Sequence, residues 1–208
     1  MIVHYLVEGE SEAALLEAWL PRALPQHTHR VYPHEGKGRL PGKLDATPDP
    51  EHRQLLAQLP AKLRAYGESL NPNTDRVLVL VDADDDDCLA LKKRLTAALR
   101  KCKPQPHTMI RIAVEETEAF YLGDPKAIRA AFRTFDQKEF RAYNQDSICG
   151  TWEVFQRVIK SPYEAKVRWG KKMGEHLSLA TKGKQLNRSP SFVEFYRAVR
   201  ALCGEPWP

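Results

Sequence analysis

The sequence lacks the features of a membrane protein, a secreted disulfide scaffold or a zinc protein. No apolar run approaches the roughly 20 residues that cross a bilayer. The N-terminal stretch MIVHYLVEGES has neither the basic start nor the small-residue cleavage pattern of a signal peptide. The cysteines form no C-x-x-C pair, which favours reduced thiols; they are Cys88, Cys102, Cys149 and Cys203. We therefore expect a cytoplasmic protein with no membrane contact.

A strong excess of one charge is also missing, because the net charge is only +5. The charges are unevenly distributed, however. Residues 1–150 carry 21 Lys and Arg against 22 Asp and Glu, whereas residues 151–208 carry 11 against 5. A basic segment beside an acidic one suits a polyanionic partner such as nucleic acid. A solvated helical face rich in Lys and Arg would give the same composition.

Short apolar runs alternate with helical patterns in the first part of the chain. The expected strands are IVHYLV, THRVYP, RVLVLV and TMIRIAVE, and the helices between them are SEAALLEAWL up to Pro21, HRQLLAQLPAKLRAY and LALKKRLTAALRK. RVLVLV has no polar alternation, which is typical of a central strand covered on both faces. This order predicts an α/β fold with a mostly parallel sheet, right-handed crossovers and flanking helices.

From Asp124 onward only helical patterns follow, in DPKAIRAAF, WEVFQRVI, YEAKVRWGKKMGEHL and SPSFVEFYRAVRAL. The change of pattern predicts an α/β domain over residues 1–123. It also predicts a helical, basic C-terminal extension over residues 124–208 that packs on this domain.

Acidic residues follow three of the four predicted strands directly. They are Glu8 after the first strand, Asp82 and Asp84 after the third, and Glu115, Glu116 and Glu118 after the fourth. The carboxyl ends of parallel strands meet at one edge of a sheet, and carboxylates gathered there repel one another unless a cation neutralises them. Hard oxygen ligands favour Mg²⁺ or Mn²⁺, ions that polarise phosphoryl oxygens.

Simpler roles stay open for some of these acids. Glu12 in the first turn of a helix interacts favourably with the helix dipole, and Asp85 to Asp87 can cap the helix that follows them. A calcium-binding EF-hand loop starting at Asp82 is excluded, because its sixth residue is Asp87 and its twelfth is Lys93.

The stretches V-E-G-E-S-E, D-A-D and E-E-T-E-A-F, in this order, resemble the three signature motifs of the Toprim domain. Topoisomerases, bacterial primases, small ribonucleases and nucleases of the OLD (overcoming lysogenization defect) type share this domain. The resemblance spans residues 1 to about 122. The whole chain, including GKGRL, ETEAFYLGDP and the Y-x-x-K of Tyr163 to Lys166, is similar to an uncharacterised Toprim-like bacterial family often encoded beside an ATPase.

The resemblance implies a role for each matching acid. Glu8 would act as general acid or base and help to hold a metal, while Asp82 and Asp84 would bind the metal, and Asp86 is an outer ligand. OLD-type nucleases add further acids, which match Glu12 and either Glu115 or Glu118. No tyrosine matches a topoisomerase nucleophile and the zinc and helicase-binding modules of a primase are missing, so hydrolysis by metal-activated water fits best.

Two groups of basic residues are candidates for phosphate contacts. Residues 34–43, HEGKGRLPGK, form a glycine-rich loop with Lys37, Arg39 and Lys43. This loop does not match the Walker pattern G-x-x-x-x-G-K-[ST], and an ordinary surface turn would also explain it. His34 beside it is either a proton relay or, as is more usual, a structural hydrogen-bonding residue.

The second basic group lies in the C-terminal extension and consists of Lys160, Lys166, Lys171 and Lys172. These lysines alternate with the aromatic residues Trp152, Tyr163 and Trp169, and exposed aromatics could stack on nucleic-acid bases. The helical spacing instead predicts that Trp152 and Phe155 pack inward.

The resulting hypothesis is a Mg²⁺- or Mn²⁺-dependent nuclease, or another phosphodiester-acting enzyme, in bacterial defence or DNA repair with an ATPase partner. The first alternative is a non-catalytic nucleic-acid-binding or regulatory subunit of an ATPase complex. A third hypothesis is a phosphohydrolase that acts on small phosphates. The sequence argues against it, because the pattern D-x-D-x-[TV] requires Thr or Val where this chain has Asp86.

Overall fold

The computed structural model describes residues 1–147 and 150–208. At its centre lies a four-stranded sheet in which every strand pair is parallel. The strands are β1 (Ile2–Leu6), β2 (Thr28–Tyr32), β3 (Asp75–Asp82) and β4 (Thr108–Ala113), arranged in the order β2-β1-β3-β4. The predicted α/β class with a parallel sheet between helices is confirmed.

The α-helices within the described ranges are α1 (Glu10–Ala23), α2 (Leu55–Ser69), α3 (Cys88–Arg100), α4 (Glu118–Leu122), α5 (Pro125–Ala131), α6 (Gln137–Ala142), α7 (Thr151–Ile159), α8 (Lys166–His176) and α9 (Pro190–Leu202). The prediction that α1 ends at Pro21 is wrong, because the helix continues to Ala23. Pro21 removes only its own N–H donor in the last turn, and the Leu24 N–H still bonds to the Leu20 carbonyl at 2.9 Å. The sequence pattern missed α6, a short helix that Asp136 caps through two backbone N–H groups.

The two faces of the sheet are buried against different helices. Tyr5 and Leu80 belong to a core shared with α1 and with helices of the C-terminal extension. Leu6 and Val79 belong to a second core with α2 and α3. Residues 77–81 of β3 have no exposed surface at all, so the prediction of a central strand covered on both faces is confirmed.

The C-terminal extension packs against α1 through aromatic rings. The Trp19 ring centroid lies 5.4 Å from that of Phe192, 5.8 Å from that of Phe195 and 4.7 Å from that of Tyr196. Such pairs contribute about 0.5 to 1.5 kcal/mol beyond their buried area. Residues 1–123 and 124–208 therefore both contribute to the first of the two cores, the one that contains Tyr5 and Leu80.

Helix α8 approaches the backbone of α1 closely because it has glycine at two contact positions. A Cβ atom at Gly170 would lie 2.4 Å from the Ser11 carbonyl oxygen, and one at Gly174 would lie 2.4 Å from that of Leu15. Only glycine permits this approach. The first residues of α8 are thereby held beside the first turn of α1.

The strand order creates a crevice at the carboxyl ends of β1 and β3. The chain leaves β1 for β2 on one side and then crosses to β3 on the other side. In open parallel sheets, ligands bind at such a switch point.

Three of the four cysteines lie within the described residues. Cys88, Cys102 and Cys203 are free thiols, and Cys149 lies outside the described residues. None of the helices in the described ranges combines the length and apolar character needed to cross a membrane.

Candidate functional site

Glu8 and Asp82 meet at the switch point between β1 and β3. The Asp82 backbone N–H donates a 2.7 Å hydrogen bond to the Glu8 carboxylate oxygen Oε1. This contact links the segment after β1 to the last residue of β3. The expected convergence of acids from separate strand ends is thus observed for this pair.

Two further glutamates reach the same place from helices α1 and α4. Glu12 is 6% exposed, and its Oε1 accepts hydrogen bonds from the hydroxyls of Ser11 (2.7 Å) and Thr117 (3.2 Å). Glu118, the first residue of α4, is 2% exposed. We call Glu8, Glu12, Asp82 and Glu118 the acidic cluster.

Burial and neighbouring acids disfavour the ionisation of Glu8, Asp82 and Glu118. Burial raises the pKa of Asp82 well above its usual range, and the charges of Glu12, Glu8 and Glu118 raise it further. Burial raises the pKa of Glu8 to about 8, with Asp84 and Glu12 adding to the effect and the Asp82 N–H opposing it. Burial also raises the pKa of Glu118 to about 8. The cluster therefore favours bound protons or a bound cation.

Two oxygens of the acidic cluster are buried without compensation. Asp82 Oδ1 and Glu118 Oε1 have no hydrogen-bond partner within the described ranges, and such burial ordinarily costs about 1 to 3 kcal/mol. No three His, Cys, Asp or Glu side chains of residues 1–147 and 150–208 form a ready-made ligand set. The fit to Mg²⁺ or Mn²⁺ thus depends on these two oxygens and on the mutual repulsion of hard carboxylate ligands.

Asp84 and Asp86, two of the predicted ligands, are ion-paired with Lys37. The Lys37 Nζ lies 3.1 Å from Asp84 Oδ2, 2.8 Å from Asp86 Oδ2 and 2.7 Å from the Ala83 carbonyl oxygen. The hydrogen bond from Lys37 lowers the pKa of Asp86. Asp84 is exposed and Asp86 is half-buried, whereas Asp82 is buried. Asp87 caps α3 by accepting the Ala90 N–H at 2.6 Å, as the simpler interpretation expected.

Glu115, another predicted metal ligand, binds the N-terminus of α7. Its carboxylate accepts hydrogen bonds from the backbone N–H groups of Gly150 (2.7 Å) and Thr151 (3.1 Å), and from the Thr151 hydroxyl. A carboxylate at this helix end is favourable with respect to the helix dipole. The structure therefore assigns Glu115 a capping contact, and Glu118 is the acid that joins the acidic cluster.

Lys166 lies beside the acidic cluster and is only partly exposed. Its Nζ donates a 3.0 Å hydrogen bond to Glu116 Oε1 and lies 5.0 Å from the Trp152 ring centroid. Although burial opposes it, the charges of Glu118 and Glu116 raise the pKa of Lys166. The extension thus contributes a cation to the site, at a residue predicted from sequence as a nucleic-acid contact.

The glycine-rich loop and α3 enclose an open cleft next to the Asp84–Asp86 turn. The cleft has a volume of about 850 Å³, and its basic lining residues are Lys37, Arg39 and Arg94. Lys43 is exposed on the same loop. Sequence reasoning missed Arg94, because nothing in the pattern of α3 distinguishes it from the neighbouring Lys92 and Lys93.

The remaining predicted contacts are dispersed. His34 donates through Nδ1 to the Val7 carbonyl at 2.8 Å, which agrees with a structural role. Lys160 pairs with Asp136 at 3.2 Å. The Lys172 Nζ lies 5.2 Å from the Phe132 ring centroid, whereas Lys171 is exposed on α8.

One protein-family model matches most of the chain. The model of the family described as Domain of unknown function (DUF4276) matches residues 7–200. The chain belongs to this family. The matched residues include all four members of the acidic cluster, and they also include Lys166 of the C-terminal extension. No curated protein and no solved structure matches the chain.

Two buried residues of this DUF4276 chain were not identified from sequence. Thr117 has no exposed surface and donates its hydroxyl to Glu12. Tyr121 is also fully buried. Burial is the main cause that raises its pKa, and the charges of Glu118, Glu12 and Asp82 raise it further. The only sequence signal was their position within and directly after E-E-T-E-A-F.

Proposed function

We propose that this protein is a Mg²⁺- or Mn²⁺-dependent phosphodiesterase of Toprim type that hydrolyses nucleic acid. The main support is the contact between Glu8 and Asp82 at the switch point of the sheet, within a group of mutually repelling carboxylates of which Glu12, Asp82 and Glu118 are buried. The uncompensated oxygens of Asp82 and Glu118 add to it, because a hard cation would satisfy both.

The residues of the acidic cluster divide into ligands and a proton carrier. Asp82, Glu118 and Glu12 would hold the cation, which would polarise a phosphoryl oxygen and lower the pKa of a bound water. Glu8 has a pKa raised by burial to about 8, so it can hold or release a proton near neutral pH. We therefore assign general acid or base catalysis to Glu8.

The basic cleft beside the acidic cluster supports a polyanionic substrate. Lys37, Arg39 and Arg94 line it, and Lys43 is exposed on the same loop. Cations in a groove neutralise successive phosphates of a nucleic-acid strand. Asp84 and Asp86 would join the metal ligands after Lys37 releases them, and Lys37 would then contact phosphate.

Cleavage assays test this function directly. Purified protein would be incubated with plasmid, single-stranded DNA and RNA in Mg²⁺, Mn²⁺ or EDTA. We expect metal-dependent cleavage that falls at least about 100-fold in Glu8→Gln and in Asp82→Asn. Glu10→Gln is the matched control, because Glu10 is an exposed acid in the first turn of α1 outside the cluster. Undiminished cleavage by a variant carrying both Glu8→Gln and Asp82→Asn would contradict the assignment.

A second candidate function is a non-catalytic, nucleic-acid-binding or regulatory subunit of an ATPase complex. The observation that favours it is the ion pairing of Lys37 with Asp84 and Asp86, which neutralises two proposed metal ligands. Co-purification with a neighbour-encoded ATPase, without metal-dependent cleavage by either the protein or the complex, would support this alternative. Either function is consistent with a role in bacterial defence or DNA repair.

A further inference from the structure

Tyr163 differs from the other aromatic side chains of the protein by its exposure. It is 58% exposed, and it is the only exposed Phe, Trp or Tyr within residues 1–147 and 150–208. In the same extension Phe155 and Trp169 are buried, and Trp152 is half-buried beneath Lys166. An aromatic ring left in water beside a candidate site is a surface on which a planar ligand can stack.

Tyr163 is close in sequence to Lys166, the cation that lies beside the acidic cluster. It precedes Lys166 by three residues, and the Lys166 Nζ is held 3.0 Å from Glu116 Oε1. Three residues of fully extended chain span at most about 11 Å, so the two backbones cannot lie farther apart. The Ser161 hydroxyl donates a 2.8 Å hydrogen bond to the Tyr163 carbonyl, which restrains the backbone of this segment.

The exposed residues of α8, the helix that follows Tyr163, include two cations and the acid Glu175, and Glu164 is exposed before the helix. Val167 is 51% exposed, and both Arg168 and Lys171 are exposed on the same helix. An aromatic platform bordered by cations is the arrangement with which proteins bind single strands, because bases stack on the ring and phosphates pair with the cations. In a duplex the base faces are covered by neighbouring base pairs, so the ring could not reach them.

We propose that the substrate of this site is single-stranded nucleic acid, one base of which stacks on Tyr163 while Arg168 and Lys171 contact the adjoining phosphates. This inference depends on the proposed function, since it names the substrate class of the same site. A protein partner could also cover an exposed tyrosine and valine, but the excess of Lys and Arg over Asp and Glu in residues 151–208 favours a polyanion.

Binding to strands with and without bases separates stacking from charge. The full-length protein would be titrated in EDTA, where hydrolysis is blocked, against labelled strands of about 12 nucleotides. The strands are single-stranded DNA, single-stranded RNA, a fully abasic strand of equal length and a duplex. We expect the base-bearing single strands to bind about tenfold more tightly than the abasic strand. Tyr163→Ala would abolish this difference, and Tyr163→Phe would retain it.

Two variants of α8 serve as controls. Val167→Ala removes a neighbouring exposed apolar side chain and should leave the tenfold difference unchanged. Lys171→Met should weaken binding of base-bearing and abasic strands by the same factor, since it removes only a charge.

Hydrolysis of the abasic strand distinguishes failure of this inference from failure of the proposed function. The wild type should hydrolyse this strand in Mn²⁺, and Asp82→Asn should not. If the wild type hydrolyses it but Tyr163→Ala keeps the wild-type preference for base-bearing strands, stacking is refuted and the phosphodiesterase stands. If no strand is hydrolysed but Tyr163→Ala loses the preference, stacking is supported and the phosphodiesterase is refuted. Equal wild-type affinity for base-bearing and abasic strands also overturns the inference. The inference is also overturned if light scattering shows a wild-type dimer that Tyr163→Ala dissociates, while strand binding stays the same.

Discussion

The Asp82 backbone N–H donates a 2.7 Å hydrogen bond to Oε1 of Glu8, which joins two acids that lie 74 residues apart in sequence. This bond favours the ionised carboxylate of Glu8, yet burial and the neighbouring charges outweigh it and raise the pKa of Glu8 to about 8. The balance between these effects makes the acidic cluster sensitive to both pH and cations.

The pH dependence of stability is the first prediction. Burial raises the pKa of Glu118 from 4.5 to about 8, so the folded protein retains a proton that the unfolded chain has lost between these values. The free energy of unfolding therefore falls as pH rises from about 4.5 to about 8 in metal-free buffer. Glu118→Gln should remove the part of this loss that Glu118 causes and raise stability at pH 8 by up to a few kcal/mol, while Glu8 and Asp82 keep their parts.

Urea unfolding in EDTA at pH 5 and at pH 8 measures this effect. Glu17→Gln, at an exposed position of α1, is the control and should leave the pH dependence unchanged. A wild-type stability that rises over this range would contradict the raised pKa of Glu118.

Stabilisation by divalent cations is the second prediction. Mn²⁺ should raise the melting temperature of the wild type, because binding to the folded state alone shifts the unfolding equilibrium. The shift should grow as pH rises through about 8, since protons on Glu8 and Glu118 compete with the cation. Asp82→Asn should lose the shift, whereas Asp85→Asn, at an exposed neighbour, should keep it. Equal shifts in both variants would show that the cation binds elsewhere.

Lys37 gives a third prediction, because it is placed to compete with a metal for Asp84 and Asp86. Lys37→Met should increase the affinity for Mn²⁺ several-fold while it weakens nucleic-acid binding, since one cation is removed from the cleft. Isothermal titration measures the first quantity and fluorescence anisotropy the second. Lys43→Met, in the same loop, should weaken nucleic-acid binding alone. An unchanged Mn²⁺ affinity in Lys37→Met would show that Lys37 does not compete with the cation.

The close packing of α8 on α1 gives a fourth prediction. Gly174→Ala places a Cβ atom 2.4 Å from the Leu15 carbonyl oxygen, and overpacking of this kind typically costs about 1 to 3 kcal/mol. The higher helix propensity of alanine returns at most about 1 kcal/mol. We therefore expect a net loss of stability in thermal or urea unfolding.

Gly42→Ala is the control for this substitution, because no heavy atom lies within 4 Å of the added Cβ. It should change the free energy of unfolding little. A Gly174→Ala variant as stable as the wild type would show that α8 can shift away from α1 without cost.

Much of the fold could be predicted because its signals are local. The apolar run RVLVLV specifies a strand buried on both faces, and the helical spacing around it specifies the layers that cover this strand. Acids directly after strands necessarily lie at the carboxyl edge of a parallel sheet. Glu8 and Asp82 were therefore identifiable before their contact was known.

Local signals could not distinguish among acids within a single motif. In E-E-T-E the first glutamate caps α7, the second pairs with Lys166 and the third joins the acidic cluster. The first two contacts depend on residues 35 to 50 positions farther along the chain, and the third depends on acids that precede Glu118 in the chain.

The amino-acid sequence by itself determined the alternation of strands and helices and the edge of the sheet at which the acids collect. The tertiary structure alone decided which carboxylates are buried without a partner, which are neutralised by Lys37 or Lys166, and which aromatic ring remains in solvent. The physical reason is that ionisation and hydrogen bonding depend on distances between side chains from remote segments, whereas periodicity reports only on a residue's immediate neighbours.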